Sequence, residues 1–260
     1  MPLVATEVRA PARVRDRVSE AEWAARVELA AFYRAVARMG WTDHIYNHIT
    51  YRVPGEPNHF LVNAFGLTYP EVTASSLYKI DLDGNVILEP DGRFGLNRAA
   101  FVIHSAIHGA RHDINCVIHT HTRATMAVSC MEEGLLPLTQ QACRFTGKIG
   151  YHDFYGPVVD LAERRRLVED LGPHDVMLLR NHGTLVCGRT VAEAFLNVYF
   201  LETACQVQVD VMRSGAKIVL PEPKVLEDTL RIMDEYEQDG SLEWRGMLRV
   251  LDAAGENYAD

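Results

Sequence analysis

From Ala25 through Leu29, Phe32, Val36 and Met39 the apolar residues recur every three or four positions, which predicts an amphipathic helix. Ser19 stands where it would cap that helix, Glu20 and Glu22 fall in its first turn, and Gly40 ends it. The period then shortens. Residues 49–53 and 60–62 read as strands with Pro54-Gly55-Glu56-Pro57 as the turn between them. Thr73-Ala-Ser-Ser76 caps one helical turn, and two strands at 77–81 and 86–88 flank Asp83-Gly84, a strong hairpin signal. A helix over 98–111 leads into the mostly apolar stretch 114–118, read as a buried strand. Helices are expected at 123–130 and 161–171, and strands at 176–179 and 184–186. Thr190 caps a long helix that runs to about Met212, with Ala194, Val198, Leu201, Ala204 and Val207 along one face. Beyond Pro221 the pattern gives one more helix around 225–237 and a polar end. Residues 1–18 show no period and read as an arm, 19–220 as one α/β domain, and 221–260 as a helical tail.

Composition changes this picture little. The chain has 260 residues, 48% hydrophobic and 23% charged, enough to bury a sizeable core. A net charge of −9 argues against nucleic acid or an anionic membrane as partner. The five cysteines show no CxxC spacing and read as buried free thiols. Neither a signal peptide nor an apolar run of membrane-spanning length is visible, so a cytoplasmic location is expected.

Three histidines carry the chemistry. The strand 114–118 runs into Cys116-Val-Ile-His-Thr-His121, and alternate strand residues share a face, so His119 and His121 project together. A third, His182, sits in Arg180-Asn-His-Gly183, a polar turn between two apolar runs where the backbone is tight. Three imidazoles suit a divalent metal and leave a coordination position open. Such a metal keeps most of its charge and acts as a Lewis acid on carbonyl or hydroxyl oxygens. Asp113 is a candidate acceptor behind these ligands, or simply a polar loop residue.

In these motifs the chain resembles the class II aldolase/adducin family. The resemblance rests on Val117-Ile-His-Thr-His-Thr-Arg-Ala124, the upstream helix with His104 and Arg111, Asn181-His-Gly-Thr184, Phe65-Gly66, Thr73 and the hairpin at 81–84, and it covers about residues 22–208. It implies a three-layer α/β/α sandwich with a mostly antiparallel central sheet, often assembled as a homotetramer with sites at subunit interfaces. It also implies that His119, His121 and His182 bind Zn2+ or another divalent cation (Mn2+, Fe2+ or Co2+ suit the same donors). Members include sugar-phosphate aldolases, an epimerase and decarboxylases; adducin itself is cytoskeletal and its head domain lacks the chemistry.

The departures from the family pattern redirect the function. The aldolases carry Ser-Ser-Glu before the helix, with the Glu as acid/base; here those positions are Arg98, Ala99 and Ala100. A methyl group moves no proton, and loss of the serines argues against a phosphorylated sugar. His48, in Asn47-His-Ile-Thr-Tyr-Arg52, replaces an Asn that reaches substrate. It is a candidate substrate contact or proton carrier, or an imidazole bonded to a neighbouring loop. His104 is a candidate fourth ligand or replacement acid/base, whereas His108 and His112, further along that helix, read as structural or surface residues. Asn97, Arg98 and Tyr155 are candidate substrate contacts, with Tyr151, His152 and Tyr155 forming a polar-aromatic loop cluster. The expected activity is a metal-dependent carbon–carbon lyase. It would cleave or decarboxylate a small non-phosphorylated hydroxy, keto or aromatic acid through a metal-stabilised enolate. A non-catalytic adducin-like oligomerisation module and a metal-dependent epimerase are the alternatives.

Overall fold

The computed structural model describes residues 13–90, 94–96, 98–156, 163–236 and 238–260, with residues 98–100 as backbone only. After a short 3-10 turn at Val14–Arg17 comes helix α1 (Glu20–Arg38). The Ser19 side chain accepts a hydrogen bond from the Glu22 amide, which satisfies one of the free donors of the first turn. Next come β1 (His48–Val53), β2 (Glu56–Val62), β3 (Tyr78–Asp81), β4 (Val86–Leu88), α2 (Arg98–Ala110) and β5 (Cys116–Thr120). Then follow α3 (Arg123–Ser129), α4 (Gln140–Cys143), β6 (Ile149–His152), α5 (Glu163–Leu171), β7 (Val176–Leu179) and β8 (Gly183–Gly188). Helices α6 (Val191–Ser214), α7 (Pro223–Glu235) and α8 (Ser241–Ala253) close the order.

The eight strands form one sheet in the order β4-β3-β2-β1-β5-β8-β7-β6. Every pairing is antiparallel except β6 with β7, as the resemblance implies. The alternation of side chains divides two apolar layers. Ile49, Cys116, Ile118, Leu178 and Val186 pack beneath α1, α6 and α8. Val117, Met177, Leu179, Leu185 and Cys187 pack on the other face with Val102, Ile103 and Ile107 of α2 and Leu167 and Leu171 of α5. Residues one step out of phase with Ile49 and Ile118 therefore point toward α2, and these are His48, Thr50 and His119.

Besides the short helix α4, which no pattern predicts, three elements differ from the sequence expectation. Strand β2 begins at Glu56, so the first hairpin turns on Pro54-Gly55 alone, with Gly55 at φ 79°. Strand β6 is too short to show a period. It exists because Gly150 lets the Asp170 carbonyl approach closer than a side chain would allow, and it makes Tyr151 and His152 strand rather than loop residues. The polar end contains α8, whose Trp244 and Leu251 are buried. Trp244 meets Phe32 and Phe195 with ring centroids 5.8 and 5.4 Å apart. The last residues return to the domain, where the Tyr258 and Asp260 carbonyls accept from the Ala74 and Ser75 amides at 2.9 Å. No described helix is long and apolar enough to cross a membrane.

Candidate metal centre

The end of β5 and the tip of the β7–β8 hairpin bring His119, His121 and His182 together. Leu179 pairs with Gly183, so Arg180-Asn181-His182 forms the hairpin loop. Asn181 adopts the left-handed conformation at φ 56°, which Asn tolerates better than most residues. At Gly183 a Cβ would stand 3.0 Å from His121 Cδ2 and closer still to the Thr120 carbonyl oxygen. Glycine here lets β8 run against β5 beneath the ligands.

His121 Nε2 lies 2.8 Å from His119 Nε2 and 3.0 Å from His182 Nε2. The other ring nitrogens decide what these contacts are. His119 Nδ1 is 2.7 Å from the Thr184 carbonyl, which can only accept, so Nδ1 carries the proton. His121 Nδ1 is 2.9 Å from Asp43 Oδ2 and donates to that carboxylate. With the proton held on Nδ1, Nε2 of each ring is a lone pair facing the other, and two lone pairs at 2.8 Å cannot hydrogen-bond to each other. A cation between them turns the repulsion into coordination. Backbone and carboxylate partners that fix the distal nitrogen are the usual support of a ligating imidazole. Burial pushes His119 well below the ordinary imidazole range, with His48, His121 and His182 adding to it. His182 is pushed down to about 4, chiefly by burial and then by His121 and His152. Burial thus favours the neutral, metal-binding form of His119 and His182 over the protonated one. Of all the described His, Cys, Asp and Glu residues, only these three cluster in this way.

His48 pairs directly with His119 across β1 and β5, and the two ring centroids lie 5.1 Å apart. On its far side His48 Nδ1 meets His104 Nε2 at 2.9 Å. Thr50 Oγ1 lies 2.7 Å from His104 Nδ1 and 2.8 Å from His108 Nε2. Four side chains from β1 and α2 thus form one buried hydrogen-bonded file, with His48 nearest the triad and His108 farthest. Burial holds the three imidazoles neutral. His48 is also pushed down by His104, His121 and His182, His104 by His108 and His119, and His108, at about 3, by Arg52.

The sequence reading therefore places His48, His104, His119, His121 and His182 together. His104 spends both ring nitrogens on His48 and Thr50, so it is not a fourth ligand. His108 is part of the file rather than a structural or surface residue, while His112 is exposed. Asp113 is paired with Arg111 at 2.7 Å, and the acceptor behind the ligands is Asp43. No sequence signal marks Asp43, which lies in an irregular loop far from the histidines of the triad. Thr50 is two residues from His48 on one strand face, a spacing that does mark it. Tyr155 is exposed; its ring neighbours are His152, at 6.0 Å, and Arg166, and neither belongs to the triad. His152 itself is clamped by Glu163 at 2.8 Å and Asp170 at 2.7 Å. Asn97 lies outside the described residues, as does the side chain of Arg98.

Many known proteins share this sequence pattern and fold. The Class II Aldolase and Adducin N-terminal domain matches residues 27–209. The crystal structure of an aldolase II superfamily protein from Pseudomonas syringae superposes with a TM-score of 0.90; it is 46% identical and the match covers 96% of this chain and 100% of that one. L-fuculose 1-phosphate aldolase from Glaciozyma antarctica PI12 superposes with a TM-score of 0.80 at 28% identity, over 92% of both chains. Alpha-adducin of Rattus norvegicus is 41% identical over 88% of this chain, a match that spans only 33% of adducin itself. Aldolases and adducins share the domain, and by sequence and fold this chain belongs to the class II aldolase and adducin N-terminal domain family.

Proposed function

We propose that this protein is a divalent-metal-dependent carbon–carbon lyase acting on a small non-phosphorylated hydroxy, keto or aromatic acid. The observation that carries the reading is the convergence of three Nε2 atoms, two of them, on His119 and His121, in rings whose Nδ1 faces an acceptor, Thr184 O and Asp43 Oδ2. His119, His121 and His182 would hold the cation, most readily Zn2+, though the donors also suit Mn2+, Fe2+ or Co2+. Bound there, the metal would supply Lewis-acid polarisation of substrate oxygens.

The proton chemistry belongs to the chain. Ala100 stands where the related aldolases carry their acid/base Glu, and His48 is the side chain next to the triad that can take that role. The file behind it fits two hydrogen-bonding senses. In one, His108 Nε2–H donates to Thr50, Thr50 donates to His104 Nδ1, His104 Nε2–H donates to His48 Nδ1, and His48 Nε2 bears a proton. In the other every bond is reversed and His48 Nε2 is bare. The first form protonates a carbanion left by cleavage or loss of carbon dioxide. The second accepts the hydroxyl proton that a retro-aldol cleavage releases. His48 then touches substrate, and His104 and Thr50 act through it. A cytoplasmic homo-oligomer, tetrameric by family likeness, is part of the same proposal.

Purified protein is expected to contain about one metal per chain and to lose thermal stability with a chelator. It is expected to release a carbonyl product or carbon dioxide from unphosphorylated hydroxy-keto acids or dihydroxybenzoate-like acids. Absence of bound metal together with chelator-insensitive stability would sink the proposal; inversion of a stereocentre without cleavage would move it to an epimerase. The 41% identity to alpha-adducin and the Ala at position 100 favour a second reading, a non-catalytic oligomerisation module. On that reading His119→Ala leaves both metal content and cellular phenotype unchanged.

A further inference from the structure

The layer that covers the α2 face of the sheet is incomplete. Helices α2 and α5 pack over β5 to β8, but β2 and β3 meet only one flank of α2. Between them lies a cavity of about 700 Å³. That volume falls within the range of small-molecule sites, roughly 300–1,000 Å³, whereas protein interiors otherwise leave few voids larger than a water. None of the three triad histidines lines it; His104 and His108 do, together with Thr50. It therefore lies on the far side of the histidine file from the proposed metal.

Its chemistry is unlike that of the triad. The walls are Phe60, Val62, Ile80 and Phe101, and the first three are 2%, 5% and 5% exposed. Val86 and Phe94 at the mouth are 46% and 36% exposed, so the buried walls form the inner end of an open slot that suits a small flat molecule. The described charged groups at its edge, Asp83 and Glu89, are both carboxylates, and no described Lys or Arg lines it. Arg52 and Arg164 stand over the Phe60 and Phe101 rings, but no described guanidinium lines the cavity itself, so an anion would meet two carboxylates and no direct cationic partner. At the inner end Thr50 Oγ1 has one O–H and two lone pairs. In either sense of the file, Thr50 donates to one imidazole and accepts from the other, so one lone pair is left. A ligand with a single hydroxyl donor could meet it.

We propose that this cavity is a second ligand site, taking an uncharged aromatic molecule with one hydroxyl group, a simple phenol in chemical class. The ring lies against the sheet face formed by Phe60 and Ile80, and the hydroxyl donates to Thr50. That bond lands in the middle of the file, between His104 and His108. The site does not depend on the lyase reading. It stands or falls on binding alone.

The test uses 4-bromophenol with the full-length protein. A crystal soak is expected to place the bromine anomalous peak within the Phe60–Ile80 slot. Titration followed by imidazole 15N spectra is expected to shift the His104 and His108 resonances saturably, with a Kd of about 1 mM or below, reasonable for so few non-hydrogen atoms. 4-Bromobenzoate, of similar shape but anionic, should bind at least tenfold more weakly. Ile80→Trp, which fills the slot, should weaken binding at least tenfold, and His182→Ala should leave it unchanged. If Ile80→Trp does not fold, the soak and the benzoate comparison decide. Bromine at the triad or nowhere in the slot, equal affinity for the benzoate, or occlusion of the slot by a second copy of the chain overturns the proposal.

Discussion

Gly183→Ala tests the geometry of the metal centre without touching a ligand. The added Cβ would sit 3.0 Å from His121 Cδ2 and nearer still to the Thr120 carbonyl oxygen, where ordinary C···O approaches are ~3.3 Å or more. Neither neighbour yields easily. Thr120 is the last residue of β5, paired with Thr184 in the middle of the sheet, and its side chain is bonded to that of Thr184 at 2.9 Å. The strain must open the β5–β8 ladder or turn the His121 ring. Overpacking of this kind costs about 1–3 kcal/mol. Because His121 Nε2 is the atom shared by both short contacts of the triad, rotation of its ring removes one of three donors.

The expected result is a folded protein with a lowered melting temperature whose metal affinity falls about 100-fold or more, in line with losses seen when only the support of a ligand is removed. Metal per chain would be measured by mass spectrometry after dialysis against a graded competing chelator. Calorimetric melting with and without added metal separates the packing cost from the lost binding, because bound metal adds stability by mass action. A Gly183→Ala protein with wild-type metal affinity and an unchanged melting temperature would refute both the close approach and the assignment of the triad.

Three further outcomes follow from the same geometry. Asp43→Ala should lower metal affinity about 10- to 100-fold with little change in fold stability, since the Asp43 side chain is 46% exposed and its one described task is to hold His121; competitive chelation reads it. Thr50→Val keeps the shape but strands imidazole nitrogens of His104 and His108, so stability to urea should fall by about 1–3 kcal/mol. Metal content should be unchanged and turnover reduced, with kcat hit harder than KM. His108 makes stability pH-dependent: its folded value is about 3 and its ordinary value 6.5. The unfolded chain therefore binds the extra proton; the contribution is whole above pH 6.5 and is lost as pH falls toward 3. By pH 5 this single group should cost about 2 kcal/mol, and His108→Phe should flatten the decline in urea melts taken from pH 7 to 5. Equal slopes for the two proteins would rule the buried neutral imidazole out.

What the sequence makes legible here are features written within one element. The helix from Ser19 shows because its cap and its apolar stripe lie in consecutive residues, and His119 and His121 show because a strand repeats every second position. Strand β6 and helix α8 escape notice for opposite reasons. The first is four residues long with a glycine inside, and the second buries only Trp244 and Leu251 deeply, so neither leaves a stripe. His108 is read as peripheral because its value comes from Thr50, 58 positions away in sequence. Helical spacing to His104 says that the two rings share a face; it does not say what that face meets.

The same distinction explains why the triad can be found from sequence but not its protonation. Which nitrogen of His119 is bare depends on the Thr184 carbonyl, a backbone atom that any residue would supply, once β5 and β8 pair in this register. Which nitrogen of His121 is bare depends on Asp43, 78 positions away. Ligand identity is thus a property of residue types, and ligand competence a property of sheet register. A variant that keeps all three histidines but slips β8 by one residue would turn His119 Nδ1 away from its acceptor, freeing the ring to take either tautomer. The conserved chemistry of the donors would remain and the cation affinity would fall. The register that glycine at 183 permits is as much a part of the centre as the imidazoles.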